Sequence, residues 1–221
     1  MKLLAIETST EACSAAILLD GELVEKYAFA PRKHAELILS MVEQLLTETG
    51  TRLTDLDTLA FGRGPGAFTG VRIATGVIQG LAYAADLPVI PVSTLAALAQ
   101  GTDHRDHTLL SAIDARMGEV YWGLFTIGSN GIALPCSEEQ VCRPELLDIT
   151  EYGDIFGVGS GWQSYHEILA DKLGNHITGF DGDCFPRAAS IAAIAADMFT
   201  SEGMVTAAEA LPVYLRNQVT G

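Results

Sequence analysis

Glu7 closes the apolar run Leu3-Leu4-Ala5-Ile6 and is followed by three hydroxyl side chains, Thr8, Ser9 and Thr10. Asp114 closes a second run of the same kind, Leu109-Leu110-Ser111-Ala112-Ile113. An acid at a strand end beside a cleft can hold a metal ion or orient an attacking water. Each acid is followed, farther on, by a glycine cluster of one pattern: Phe61-Gly62-Arg63-Gly64-Pro65-Gly66 and Phe156-Gly157-Val158-Gly159-Ser160-Gly161. Glycines between a strand and a helix expose backbone N–H groups at the helix N-terminus, a setting that suits phosphate. The candidate phosphate or nucleotide site is therefore Glu7, Thr8, Ser9, Gly64, Gly66, Asp114, Gly159 and Gly161. The plainer alternative is that the acids satisfy loop N–H groups and the glycines only make turns.

Other chemistry finds no support in the residue pattern. The Walker sequence Gly-x-x-x-x-Gly-Lys-Ser/Thr and the His-Glu-x-x-His metalloprotease helix are absent. Cys13, Cys136, Cys142 and Cys184 form no Cys-x-x-Cys pair and have no zinc spacing. Reduced thiols are the expectation for them. His104 and His107 fall in a polar stretch, His166 in a helix and His176 in a turn, all read as surface positions. His34 precedes a helix and reads as a local cap or surface group. Arg63 and Arg72 flank the first glycine cluster and could meet an anion or simply be solvated.

The elements that would carry these residues repeat. Leu3 to Glu7, Ala12 to Leu19 and Glu22 to Ala30 read as three strands, with Asp20-Gly21 as a hairpin turn. Leu109 to Asp114, Glu119 to Ile127 and Ile132 onward echo them, with a turn at Ser129-Asn130-Gly131. Thr58 to Phe61 and Ile155-Phe156 are strands entering the two glycine clusters, and a helical pattern follows each. The chain is thus read as two α/β lobes, 1–103 and 104–221, each with a mixed sheet flanked by helices. Ala188 to Phe199 is a further helix whose side of docking, first lobe or second, the pattern leaves open.

Two helices carry more apolar surface than one core needs. In the helix from His34 to Thr49, Ala35, Leu37, Ile38, Leu39, Met41, Val42, Leu45 and Leu46 span an arc of roughly 200°. The helix from Thr69 to Ala85 has an ordinary apolar stripe, but its other face holds Arg72, Gly76, Gln79, Gly80 and Tyr83. A helical glycine costs about 1 kcal/mol relative to alanine. A pair spaced by one turn indicates a close backbone, from another chain or from within the lobe. The candidate association surface is Leu37, Met41, Leu45, Arg72, Gly76, Gln79, Gly80 and Tyr83.

Composition narrows the partners. Hydrophobic residues make up 48% of the chain and charged residues 19%, enough apolar surface for a globular core. A formal net charge of -15 opposes nucleic acid and anionic lipid, so strong direct RNA binding is not expected. No apolar stretch has the length of a membrane span and no secretory signal is indicated, so a cytoplasmic location is expected.

Several segments resemble one family. Lys-Leu-Leu-Ala-Ile-Glu-Thr-Ser at 2–9, Gly-Arg-Gly-Pro-Gly-Ala-Phe-Thr-Gly at 62–70 and Pro-Val-Ser-Thr-Leu at 91–95 are similar to the TsaB (YeaZ) family. So are Asp114-Ala115-Arg116 with Glu119-Val120-Tyr121, and Pro212-Val213-Tyr214-Leu215-Arg216. The resemblance implies a duplicated actin-like ATPase (ribonuclease H-like) fold of the sugar kinase/Hsp70/actin superfamily. It implies a paralogue of TsaD, the subunit that transfers threonylcarbamoyl to an adenosine of tRNAs reading codons that begin with A. It further implies a heterodimer with TsaD through the two helices above, TsaE in the larger assembly, and a homodimer when alone. TsaD-like chains bind their metal with two histidines four apart on a helix; here Thr94 and Leu98 hold those places. Leucine offers no donor atom. The expectation is a non-catalytic scaffold or activator with no metal and no required cofactor; ATP or ADP would bind weakly or at the partner interface. The alternative is a free-standing ATPase or small-molecule kinase of the same fold.

Overall fold

The structure, a computed structural model, describes residues 1–149, 153–199 and 203–216. Among the described residues, eleven strands and five α-helices are arranged around two sheets. The first sheet uses β1 (Lys2–Glu7), β2 (Ala12–Leu19), β3 (Glu22–Phe29), β4 (Thr58–Gly62) and β5 (Val89–Val92). Its helices are α1 (His34–Thr49), α2 (Phe68–Ala85) and α3 (Thr94–Gln100). The second sheet uses β6 (Thr108–Arg116), β7 (Glu119–Ile127), β8 (Ala133–Pro135), β9 (Gln140–Cys142), β10 (Ile155–Val158) and β11 (Ile177–Asp181). With it goes α4 (Ser160–Leu173), and α5 (Ala188–Met198) follows β11 in the chain.

The two sheets share one strand order. The first runs β3-β2-β1-β4-β5 and the second β8-β7-β6-β10-β11, with β9 also paired to β7. In each, the first three strands are antiparallel and the last two join in parallel. Parallel neighbours need helical crossovers, which cover a sheet on both faces. This is why β1 reads as a continuous apolar run rather than an alternation. Asp20 and Gly21 both have positive φ, 52° and 99°, the geometry of the tight turn that sets Leu19 opposite Glu22.

Three apolar layers result. On one face of the first sheet, Leu4, Ile6, Ile17, Leu59 and Phe61 pack against α1 and α2. On the outer face of the second, Leu110 and Trp122 pack with Trp162 and Leu169 of α4. Between the sheets lie α3 and α5, where Leu95, Ala99, Ile191 and Ala195 meet Leu3, Ala5, Ile113 and Phe125. Alanines at 5, 16, 60, 188, 192 and 195 let α5 come close to the sheet. The helix α5 lies on the first sheet: Ser14 Oγ accepts from Ala188 N at 2.9 Å, and Glu25 accepts from Arg187 and Ala189 N. Val205 adds an isolated bridge to Val89. Spatially, then, these late residues join the first lobe. No described helix is long and apolar enough to cross a membrane.

Candidate functional site

The acid and glycine set does not assemble into an open phosphate cradle. Glu7 is fully buried. Its Oε1 accepts from Ser9 N at 2.5 Å and from the Ser9 hydroxyl, which stands 2.9 Å from Thr94 Oγ1. Its Oε2 is buried with no hydrogen-bond partner among the described residues and lies over Gly62, where a Cβ would be 1.8 Å away. Burial raises the Glu7 pKa, with the Ser9 hydrogen bonds opposing. Thr8 is also buried and donates to Gly70 O at 2.7 Å. The expectation that Glu7 and Thr8 face a ligand is therefore corrected: residues 8–9 fold over the carboxylate and seal it. Of the three, only Ser9 reaches the cleft wall.

The glycines serve close packing. Gly64 is buried at φ 97°, and a Cβ there would approach Val213 O to 3.0 Å; its own carbonyl accepts from Thr94 N. A Cβ on Gly66 would lie 2.5 Å from Ser9 O, an oxygen already taken by Ala67 N at 2.7 Å. In the second lobe Gly159, at φ 103°, donates to Asp181 O, and a Cβ there would meet Leu98 and the Ala112 carbonyl. A Cβ on Gly161 would crowd Ala112. Gly64, Gly159 and Gly161 are thus held by close packing at their Cβ positions and do not line the cleft, and α4 begins at Ser160 directly after Gly159. Gly66 borders the cleft, but its conformation is set by contact with Ser9.

Asp114 is neutralised rather than free. It accepts from Arg116 N at 2.8 Å and Arg116 Nη1 at 3.0 Å. The same guanidinium reaches Glu11 in the first lobe at 2.9 Å, so Glu11, Arg116 and Asp114 bridge the cleft mouth. The remaining space, lined by Ser9, Gly66, Asp114, Ser160 and Tyr214, has a volume of about 220 Å³. Small-molecule sites generally need about 300–1,000 Å³. Among the described residues, no three His, Cys, Asp or Glu side chains converge to hold a metal. Thr94 and Leu98 are 0% and 2% exposed, and Leu98 faces Gly159.

The helix face behaves differently. Leu45 and Met41 are 0% and 8% exposed in the core beneath α1, so they are removed from the association surface. Leu39, 54% exposed, takes their place, with Leu37 and Leu46 partly covered. On α2, Arg72, Gly76, Gly80 and Tyr83 are exposed, Tyr83 to 86%. A Cβ at Gly76 or Gly80 would meet nothing within 4 Å, so neither glycine is required by packing inside the lobe. Gln79 donates to Ala210 O at 3.0 Å, and Arg72 lies 3.6 Å over the Phe68 ring while its Nε donates to Tyr214. The sequence pattern did not place Phe68 and Tyr214 on this surface, although both fall in the family-like segments; Phe68 sits a residue before the expected helix start and Tyr214 is remote in the chain. His34 proves buried, its Nε2 3.1 Å from Ala12 O. His104 stacks on Phe156.

Two sheets of identical order, joined through α3 and α5 around a narrowed cleft, define a duplicated actin-like α/β protein. A family model described as "TsaD: tRNA N6-adenosine threonylcarbamoyltransferase" matches residues 28–217. The "tRNA threonylcarbamoyladenosine biosynthesis protein TsaB" of Escherichia coli K12 is 44% identical over 99% of this chain and 96% of its own length. Its Haemophilus influenzae counterpart is 40% identical over 100% and 95%. The solved structure of YeaZ from Pseudomonas aeruginosa superposes with a TM-score of 0.89 at 43% identity, covering 97% of this chain and 99% of that one. The chain belongs to the TsaB (YeaZ) family.

Proposed function

We propose that this chain takes part in tRNA threonylcarbamoyladenosine biosynthesis as a non-catalytic scaffold or activator that binds a TsaD subunit. The observation that carries the reading is the open floor at Gly76 and Gly80 on α2, with Tyr83 exposed on the same helix and Leu39 exposed on α1. Each glycine weakens α2 by about 1 kcal/mol without a packing return in the lobe. A partner helix seated on that floor would supply the return, because small residues let backbones approach closely. The sealed Glu7 and the aliphatic Leu98 favour action by contact over turnover. On this reading TsaE joins the assembly, the isolated chain forms a homodimer through the same helices, and the protein works in the cytoplasm. ATP or ADP would bind only weakly or at the partner interface.

The test is co-purification with TsaD. Gly76→Arg and Tyr83→Glu should each weaken the complex about tenfold or more while leaving the circular dichroism of the chain unchanged. Unaltered binding by both variants would remove this surface. Sustained ATP hydrolysis by the purified chain alone would reject the non-catalytic reading.

A further inference from the structure

Residues 210–216 cross from the first lobe to the second without joining either sheet. Gln79 of α2 holds their start through Ala210 O. Val213 N donates to Arg63 O at 2.8 Å, and the Val213 carbonyl rests against Gly64. The side chains alternate, as in any extended segment. Tyr214 and Arg216 line the cleft, while Val213 and Leu215 line a groove on the other side, beside Phe125 and Ile194. At the far end Arg216, its side chain 19% exposed, donates to Ala115 O at 3.2 Å and pairs with Glu119. Ala115 and Glu119 flank the β6–β7 turn. In that turn Arg116, Met117 and Gly118 all have positive φ, 61°, 58° and 78°. Arg116 and Met117 carry a Cβ, so the turn is strained and persists only where its surroundings enforce it. Arg216 grips both of its arms.

The middle of the segment is fastened to α2. Tyr214 Oη accepts from Arg72 Nε at 3.0 Å, the Tyr214 ring lies 5.8 Å from that of Phe68, and the Arg72 guanidinium covers Phe68. Arg72 is exposed and Tyr214 is 43% exposed, so this clasp faces solvent on the helix that also carries Gly76 and Tyr83. A group that takes the guanidinium from outside competes with Tyr214 for it. Once Tyr214 is loose, Leu215 and Arg216 lose a fixed origin, and holding Arg216 in place costs more conformational entropy. We propose that residues 210–216 are a strap that couples the exposed face of α2 to the β6–β7 turn. Contact at Arg72 loosens Arg216, and with it the turn whose Arg116 bridges the cleft mouth. What engages Arg72 rests on the proposed association face; the coupling is a property of this chain alone.

Amide hydrogen exchange on the dilute, unassociated full chain tests this, read at Arg116, whose N–H is held by Asp114 Oδ1. Arg216→Ala should speed that exchange about tenfold, and Arg72→Ala or Tyr214→Phe about threefold. Tyr214→Phe keeps the ring beside Phe68, so the packing of the segment is retained. Tyr83→Ala, on the same helix but off the strap, should change nothing at Arg116. The proposal is overturned if Arg72→Ala and Tyr214→Phe leave Arg116 unchanged, if Tyr83→Ala speeds it equally, or if exchange rises evenly over the whole chain. None of these readings needs TsaD, so failure of the association face would leave them standing, and their failure would leave that face.

Discussion

Gly70 and Gly76 lie on the same helix and have opposite meanings. Gly70, in the first turn of α2, is buried, and a Cβ there would sit 2.1 Å from the Thr8 carbonyl oxygen. Gly76 is exposed, and a Cβ there would meet nothing within 4 Å. The first glycine is demanded by the chain's own packing; the second is not. One end of α2 is thus committed to closing the cleft, while its middle keeps a shallow, uncovered surface.

The largest expected effect tests the closed end. Gly70→Ala should cost about 3 kcal/mol or more, because the obstructing atom is backbone and cannot rotate away. Denaturant unfolding measures it, and a loss below about 1 kcal/mol would mean that the loop at 8–9 yields easily.

Next comes the carboxylate under that loop. Glu7 has a raised pKa in the folded chain, so the folded state holds its proton more tightly than the unfolded one. Its contribution is full below the ordinary value of 4.5 and is lost as pH rises through the raised value. Glu7→Gln should flatten the fall in stability above pH 4.5, as read from melting temperatures across a pH series. A profile unchanged by the substitution would contradict burial as the dominant influence.

At the open end the sign reverses. Gly76→Ala should stabilise the monomer, measured at concentrations too low for self-association, by about 1 kcal/mol, a rise in melting temperature of about 2–4 °C. If it destabilises the monomer instead, the contrast with Gly70 disappears. The smallest effect belongs to the bridge at the cleft mouth. Arg116 is 72% exposed, so Arg116→Ala should cost less than about 1 kcal/mol, and less at high salt. A larger loss would assign the closure to Glu11 and Asp114 rather than to the packing of residues 8–9.

Much of the architecture was legible along the chain. The range expected for α1, His34 to Thr49, is the range observed, and the Asp20-Gly21 turn stands where the dipeptide placed it. The third strand of the second lobe is shorter than its apolar run suggests, stopping at Pro135. The candidate site was far less legible. The apolar arc of α1 did not reveal its edge: Met41 and Leu45 point into the core and Leu39 points out. A wide arc does not say which of its sides faces the sheet. The matching Phe-Gly-x-Gly-x-Gly segments likewise mark matching places in the fold, but one is held by Ser9 and Val213 and the other by Ala112 and Leu98.

From its residues alone, this chain determined the kinds of element, their order and their duplication, because hydrophobic period, turn residues and helix-breaking glycines act within a few positions of themselves. Tertiary structure decided whether the cleft stays open and which helix surface remains bare. Those outcomes turn on contacts between residues far apart in the chain: Thr8 with Gly70, Ser9 with Thr94, Gly64 with Val213 and Glu11 with Arg116. Each is a matter of a few tenths of an ångström between distant backbones and side chains, which no local pattern can encode.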